Sequence, residues 1–240
     1  MTKPSVKSSK DKGKEVEDTG PSTNDLLFSL LKEHSDDHYN DVIPVNKLIS
    51  TGSLKLDRYV KIRSGGIVRI TAKQPENGKT SQAFVLAENY MKVMPKARTL
   101  YVKAEGRFSP EIQARIGMKF VTNPKDWIDN SVFILSSNVF ETVADFIIKL
   151  SKDMYEKGEH LCIIIDSLDG LILKADKDTK GISGDGMVAG VPKLTKLLFR
   201  HLALPITHYD ILLVITGQYS AEISLSKYVV TPPRLGDSSG

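Results

Sequence analysis

The sequence has little of what marks secreted or membrane-spanning proteins. Among its 240 residues Cys162 is the only cysteine, which excludes an internal disulfide framework and is typical of a reducing, intracellular compartment. No apolar run approaches the ~18 residues that a membrane-spanning helix requires. The polar first 25 residues contain no apolar stretch of a signal peptide. We therefore expect a cytoplasmic protein without a membrane partner.

Charge of one sign is not in large excess either. The formal net charge is only +4, from 33 basic and 29 acidic side chains. A net charge this small does not by itself identify a nucleic-acid-binding protein. The 40% of hydrophobic and 26% of charged residues form an ordinary globular mixture, which excludes a wholly disordered chain and a collagen-like repeat.

The first 42 residues differ in composition from the rest. Residues 1–22 contain almost nothing apolar and are predicted to form a disordered tail, either a solvated leader or a basic arm that touches DNA. Apolar side chains then recur at helical spacing, which predicts a helix over Asn24–His34 within residues 23–42. Thr23 or Asn24 can cap this helix, which is expected to pack on its own domain or on a neighbouring subunit.

Residues 43–240 are predicted to form the core, because strand-like and helix-like segments alternate there. Several predicted strands are short and largely apolar, as in a parallel sheet that helices cover on both faces. The predicted strands are Ile67–Thr71, Thr99–Lys103, Ser131–Leu135, Leu161–Ile165 and Ile211–Thr216. The predicted helices are Ser81–Met94, Pro110–Ile116, Val139–Lys157 and Pro192–Leu202. This alternation predicts an α/β fold, with a mostly parallel sheet sandwiched by helices.

Two stretches of the predicted core lack a regular pattern, residues 174–191 and residues 219–240. The first is rich in glycine and mixed charge, and the second contains two adjacent prolines and several serines. Loops this long in a compact domain tend to be either functional or disordered.

The strongest local signal is a Gly-Lys-Thr-Ser sequence at residues 78–81, between a predicted strand and a predicted helix. This is the context of a phosphate-binding loop, in which backbone N–H groups and the helix N-terminus face the anion. Lys79 would reach the outer phosphates, and the Thr80 hydroxyl would hold Mg²⁺. Lys73 stands where the standard pattern has its first glycine, so an ordinary turn is the alternative. The candidate nucleotide-binding segment comprises Gln74, Pro75, Glu76, Asn77, Gly78, Lys79, Thr80 and Ser81.

Three polar residues follow predicted strands of the core. Asp166 ends a buried strand, where an acid of a phosphate-loop enzyme orients Mg²⁺ and its water; a turn cap is the alternative. Glu105 follows another strand and is a candidate for orienting the attacking water, or else a surface glutamate. Gln218 is a candidate sensor of the γ-phosphate, or else a solvated loop residue.

Taken together, four segments resemble the RecA family of homologous-recombination ATPases, including phage UvsX-type recombinases. They are residues 49–57, 101–117, 163–168 and 215–218. The resemblance extends from Ile49 to Gly240, about four-fifths of the chain. It implies a DNA-dependent ATPase that forms a helical filament on single-stranded DNA and promotes pairing and strand exchange with duplex DNA. A viral source would place this activity in the host cytoplasm.

The resemblance also implies a role for each candidate site residue. Lys79 and Thr80 match the residues that bind ATP and Mg²⁺, and Asp166 matches the acid that orients the metal. Glu105 matches the glutamate that positions the attacking water. Gln218 matches the glutamine that couples the γ-phosphate to DNA binding, so the catalytic set is Glu105, Lys79 and Gln218.

Two DNA-binding loops follow from the same resemblance, the first at about residues 177–190 and the second at residues 219–240. The predicted DNA-binding residues are Lys177, Lys180, Gly184, Gly186, Met187, Tyr219, Lys227 and Arg234. The helix Asn24–His34 is similar to the element that docks on the neighbouring protomer of the filament, which implies a homo-oligomer.

The sequence departs from the family pattern in three places. The phosphate loop is one residue shorter than usual, and Ile112 stands where the family has an aromatic residue that stacks on adenine. The chain ends at Gly240 within the second DNA loop, so we expect a fragment of a longer protein or a second chain that completes the core. Two alternatives stay open, a catalytically weak DNA-binding filament scaffold and a hexameric helicase motor.

Overall fold

The computed structural model describes residues 22–35, 37–40, 42–72, 77–105, 108–178, 190–220 and 234–235. The chain divides into two compact units, Met1–Asn40 and Asp41–Gly240. Among the described helices, none combines the length and the apolar character needed to cross a bilayer.

The described part of the first unit contains one helix, α1 (Thr23–Glu33). It begins one residue before the predicted helix, and its cap is Ser22 rather than Thr23 or Asn24. The Ser22 hydroxyl accepts from the Asp25 backbone N–H at 3.2 Å, and the Asp25 carboxylate accepts from the Ser22 N–H at 3.1 Å. This reciprocal capping box satisfies two of the N–H groups that a helix start leaves unpaired.

The second unit alternates strands and helices, as the sequence predicts. Its elements are β1 (Leu48–Ile49), α2 (Leu54–Tyr59), β2 (Ile62–Arg63), β3 (Ile67–Ala72), α3 (Lys79–Val93), β4 (Ala97–Lys103), α4 (Pro110–Ile116), β5 (Lys119–Val121), β6 (Ser131–Leu135), α5 (Phe140–Glu156), β7 (His160–Asp166), α6 (Lys174–Asp178), α7 (Gly190–His208), β8 (Leu212–Ser220) and β9 (Arg234–Leu235).

The main sheet has the strand order β3-β8-β7-β4-β6-β5, and all of these neighbours are parallel. The short β9 pairs antiparallel with the end of β8, and β1 and β2 form a separate antiparallel pair. The predicted mostly parallel α/β fold is therefore confirmed. In the described residues β3 is hydrogen-bonded on one side only, to β8.

The core lies on both faces of the sheet. Along β7, Cys162 and Ile164 belong to the apolar cluster on the α3 face, which includes Phe84. Ile163 and Ile165 belong to the opposite cluster, which α5 and α7 cover. Because both faces are buried, β7 reads as a continuous apolar run rather than an alternating one.

Helix α7 extends beyond its predicted end at Leu202 to His208 and contains Pro205. Proline usually ends a helix because it lacks an N–H donor. Here Ile206, one residue later, is only 2% exposed in the core, and the Tyr209 N–H donates to the Pro205 carbonyl at 2.8 Å. Burial of this last turn therefore outweighs the missing backbone hydrogen bond.

The two stretches expected to be irregular are partly ordered. Residues 174–178 form α6, whose first N–H, at Lys174, donates to the Glu141 carboxylate at 2.9 Å. Strand β8 continues to Ser220, four residues beyond the predicted end, because β3 pairs with it as far as Gln218 and β9 beyond that point.

Candidate functional site

The start of α3 carries the predicted phosphate-binding residues. Gly78 precedes the helix with φ 74°, a left-handed conformation that glycine adopts without the steric cost of a side chain. Its carbonyl accepts the first helical hydrogen bond from the Gln82 N–H at 2.9 Å. Lys79 is the first residue of the helix and is buried, with 7% of its surface exposed. A helix N-terminus with a lysine in its first turn favours an anion there.

The remaining residues of the candidate loop are placed as follows. Asn77 is exposed, next to Gly78, and Ser81 is half-buried in the first turn of α3. Gln74, Pro75 and Glu76 lie outside the described residues.

Asp166 is the centre of a hydrogen-bond network at the carboxyl edge of the sheet. Its Oδ2 accepts from the Thr80 hydroxyl at 2.8 Å and from the Tyr101 hydroxyl at 3.1 Å. Its Oδ1 accepts from the Thr216 hydroxyl at 2.6 Å. The donors come from α3 and from the two strands beside β7, so the fold brings Thr80 and Asp166 together.

Tyr101 remains a proton donor in this network. Burial, followed by the charge of Asp166, raises the pKa of the Tyr101 hydroxyl well above its usual range. The phenol is therefore neutral at physiological pH and can donate to the carboxylate throughout the working range.

Glu105 lies beside Asp166, just past the end of β4. The backbone N–H groups of Ala104 and Glu105 donate to the Asp166 carbonyl at 3.0 and 3.2 Å. The Ser167 hydroxyl donates to Glu105 Oε1, and the peptide bond between Asp166 and Ser167 is cis. A Cβ on Gly170 would lie 2.9 Å from Glu105 Cγ, so glycine at this position leaves room for the glutamate.

Gln218 lies at the same edge, near the end of β8. It pairs in register with Ala72, the last residue of β3 before the phosphate-binding segment. Its backbone N–H donates to Asp169 Oδ2 at 3.0 Å. The sheet therefore brings the predicted sensor close to the start of the candidate phosphate loop.

The donor set fits Mg²⁺ bound together with nucleotide phosphates. The Thr80 hydroxyl and the Asp166 carboxylate are hard oxygen ligands, and Mg²⁺ usually takes one or two protein oxygens while phosphates and water supply the rest. The described residues contain no cluster of three His, Cys, Asp or Glu side chains that would hold a metal ion without phosphates.

The predicted DNA-binding residues are only partly described. Lys177 is exposed on α6. Tyr219 lies in β8 and Arg234 in β9, and the two strands pair, with Tyr219 opposite Leu235. The other predicted residues fall outside the described part of the chain; they are Lys180, Gly184, Gly186, Met187 and Lys227.

The segment Ile49–Asp57, which carried part of the family resemblance, braces α3. Asp57 accepts from the Ser50 hydroxyl at 2.6 Å and from the Thr51 N–H at 2.7 Å, and these bonds lower its pKa. The Gln82 side chain on α3 donates to the Thr51 carbonyl at 2.8 Å. The segment therefore supports the helix whose N-terminus carries Lys79.

Sequence reasoning gave no role to several residues of the network, namely Tyr101, Thr216, Ser167 and Asp169. A usable signal existed for two of them. Tyr101 and Thr216 are hydroxyl-bearing residues within or at the end of otherwise apolar strands, and a buried hydroxyl requires a hydrogen-bond partner. Their common partner follows only from the strand order, which places β4 and β8 on either side of β7.

Fold and site together are typical of a nucleotide-binding α/β core. Polar residues gather at the carboxyl edge of a parallel sheet, beside a helix N-terminus that favours an anion. A sequence profile of the Rad51 family matches residues 45–234. This match spans most of the chain, which therefore belongs to the Rad51 family. Family members are RecA-related P-loop ATPases of DNA recombination that use ATP with Mg²⁺, bind DNA and form filaments. A search of curated proteins gives no match.

Proposed function

We propose that this protein is a DNA-stimulated, Mg²⁺-dependent ATPase that forms a filament on single-stranded DNA and promotes strand exchange with duplex DNA, as a phage UvsX-type recombinase. The observation that carries the proposal is the set of contacts around Asp166 and the turn that follows it. Thr80 of the phosphate-binding helix donates to Asp166, Ser167 donates to Glu105, and Asp169 accepts from the backbone N–H of Gln218.

The proposed mechanism assigns each step to residues of this edge. Lys79 and the N-terminus of α3 bind the phosphates of ATP. Thr80 and Asp166 would hold Mg²⁺, which neutralises phosphate charge when it is bound. Glu105, oriented by the Ser167 hydroxyl, positions the attacking water. Gln218 senses the γ-phosphate and links it to the residues that follow β8.

The DNA-binding and oligomeric parts of the proposal rest on the family. Two loops, about residues 177–190 and 219–240, contact DNA. Helix α1, within residues 23–42, docks on a neighbouring protomer. It forms a segment separate from the tail, residues 1–22, and from the core, residues 43–240. Its apolar side chains are exposed in the structure, which a docking helix requires; they are Leu26, Leu27, Phe28 and Leu30. A second chain can add to the sheet at β3. The protein acts in the cytoplasm, which is the host cytoplasm if the source is viral.

A catalytically weak filament scaffold is the second candidate function. The observation that favours it is Lys73, which replaces the first glycine of the phosphate-loop pattern. A scaffold would bind single-stranded DNA without hydrolysing ATP.

The test is ATP turnover with and without single-stranded DNA, in the wild type, Lys79→Ala and Lys92→Ala. Lys92 is the matched control because it lies on the same helix with an exposed side chain. We expect DNA to stimulate turnover in the wild type and in Lys92→Ala, and Lys79→Ala to abolish it. Intact DNA binding without any turnover in the wild type would support the scaffold, and negative-stain images would separate filaments from hexameric rings.

A further inference from the structure

The turn that follows β7 contacts the neighbouring strand β8 as well as the edge that carries Asp166. It is a 3-10 turn at Leu168–Gly170, closed by a hydrogen bond from the Gly170 N–H to the Ser167 carbonyl at 3.2 Å. Leu168 anchors it in the core with 1% of its surface exposed. Asp169, by contrast, is exposed, and its Oδ2 accepts from the backbone N–H of Gln218 at 3.0 Å. One short, anchored turn therefore contacts both Glu105, through Ser167, and the end of β8.

Arg69 approaches β8 from β3, the strand on the opposite side of β8 from β7 and its turn. A Cβ on Gly217 would be 3.3 Å from Arg69 Nη2 and 3.7 Å from Asp169 Oδ2. Arg69, on β3, and Asp169 are therefore near neighbours across the glycine. Gly217 has no side chain to separate them.

The guanidinium of Arg69 has unused donors. Its Nε and Nη2 atoms are buried, and no described residue accepts a hydrogen bond from either. Arginine stays charged at any physiological pH, and a desolvated cation is costly unless an opposite charge is close. The Asp169 carboxylate, next to the guanidinium at Gly217, supplies an opposite charge that lowers this cost.

We propose that Asp169 and Arg69 form an electrostatic clamp across Gly217 that fixes the position of Gln218 relative to Asp166. The clamp rests on the proposed function, because it gives Gln218 a fixed place from which to respond to the γ-phosphate. Asp169 and Arg69 are positioning residues: they act through the backbone of Gly217 and Gln218. Because β8 continues from Gln218 into the second proposed DNA loop, loosening the clamp uncouples DNA binding from turnover.

The variants separate the hydrogen bond from the charge. Asp169→Ala removes both, Asp169→Asn keeps a carbonyl acceptor without the charge, and Arg69→Met removes only the cation. Asp153→Ala is the matched control, because Asp153 is an exposed carboxylate on α5 that pairs with Lys157. Asp169 and Asp153 are exposed, and methionine keeps most of the aliphatic volume of the half-buried Arg69. We therefore expect all four variants to fold, which chemical denaturation checks.

The first measurement is amide hydrogen exchange at Gln218. The clamp predicts that Asp169→Ala speeds this exchange by about five- to tenfold, because one charge-assisted hydrogen bond is lost. Asp169→Asn should show a smaller increase, and Asp153→Ala none. Exchange at Gln218 in Asp169→Ala within about twofold of the wild type would overturn the clamp.

The second measurement is the ratio of ATP turnover with and without single-stranded DNA. We expect Asp169→Ala to lower this ratio by about three- to tenfold, and Arg69→Met to lower it less, while basal turnover and the KM for ATP stay unchanged. Partial rescue by Asp169→Asn separates positioning from a general structural loss, and an unchanged ratio overturns the clamp. If DNA does not stimulate the wild type, the proposed function fails, and the exchange at Gln218 alone decides the clamp.

Discussion

Two aspartates at opposite edges of the sheet make similar numbers of hydrogen bonds but from different kinds of donor. Asp210 precedes β8 at the amino edge and is 3% exposed. It accepts from the backbone N–H groups of Val45 at 2.5 Å and Asn46 at 2.8 Å, and from the Ser64 hydroxyl at 2.7 Å. Asp166, at the carboxyl edge, is half-buried, and the described donors to its carboxylate are the hydroxyls of Thr80, Tyr101 and Thr216.

The difference separates a structural carboxylate from one that is available for chemistry. A backbone N–H is fixed by the fold, so Asp210 ties residues 45–46 to the sheet. A hydroxyl can rotate and both donate and accept, so the donors to Asp166 could turn away if the carboxylate bound a metal ion, as proposed. We therefore expect replacement of Asp166 to lower ATP turnover and replacement of Asp210 to lower the free energy of unfolding.

The largest expected effect is on turnover, in Asp166→Asn. Loss of the charge that would hold Mg²⁺ should lower ATP turnover by about 100-fold or more. The free energy of unfolding should change by less than about 1 kcal/mol, since an amide keeps one acceptor for the hydroxyls. Steady-state turnover and urea unfolding measure both quantities. Turnover within about tenfold of the wild type would contradict the assignment.

Asp210→Ala is the converse experiment. It leaves two backbone N–H groups and a buried hydroxyl without their acceptor, so we expect the free energy of unfolding to fall by about 3 kcal/mol. The ATP affinity of the folded fraction should not change. Urea unfolding and a binding titration measure the two effects, and a loss of ATP affinity at unchanged stability would remove the contrast between the aspartates.

Tyr101→Phe sharpens the comparison with a smaller effect. One of the donors to Asp166 is lost while the ring and its packing against Phe84 and Phe108 are kept. We expect the free energy of unfolding to fall by about 1 kcal/mol and turnover to change by less than about fivefold. Tyr59→Phe is the control, because Tyr59 is 74% exposed. An effect as large as that of Asp166→Asn would mean that the phenol itself takes part in the reaction.

The smallest expected effect is a pH dependence from Asp57. Its pKa in the folded protein lies below the ordinary value of 3.8, because of hydrogen bonds from Ser50 and Thr51. Its contribution to stability is therefore fully present above pH 3.8 and is lost as the pH falls through the folded pKa. The stability difference between wild type and Asp57→Asn should shrink on acidification, and unfolding curves across this window would show it. A difference that grows at low pH would reverse the sign of the shift.

The sequence predicts the bounds of an element correctly where local signals determine them. Helix α4 begins and ends at the predicted residues because three local signals agree. Ser109 caps it, Pro110 occupies its first turn, and Gly117 ends it with φ 74°. The buried strand β7 was equally predictable, from its continuous apolar run.

The network around Asp166 was predictable only in part. The Gly-Lys-Thr sequence and the strand-end acid identified Thr80 and Asp166 separately. That Thr216 and Tyr101 join them depends on β8 and β4 lying on either side of β7, and this strand order is a tertiary property. The length of α7 escaped prediction for the same reason, since burial of Ile206 carries the helix past Pro205.

The most direct test of the central claim is ATP binding by calorimetry with and without Mg²⁺, in the wild type, Asp166→Asn and Asp210→Asn. We predict that Mg²⁺ tightens ATP binding in the wild type and in folded Asp210→Asn, and that Asp166→Asn loses this dependence. Equal ATP affinity with and without Mg²⁺ in the wild type, or full Mg²⁺ dependence in Asp166→Asn, would contradict the assignment of Asp166 as the metal-orienting acid.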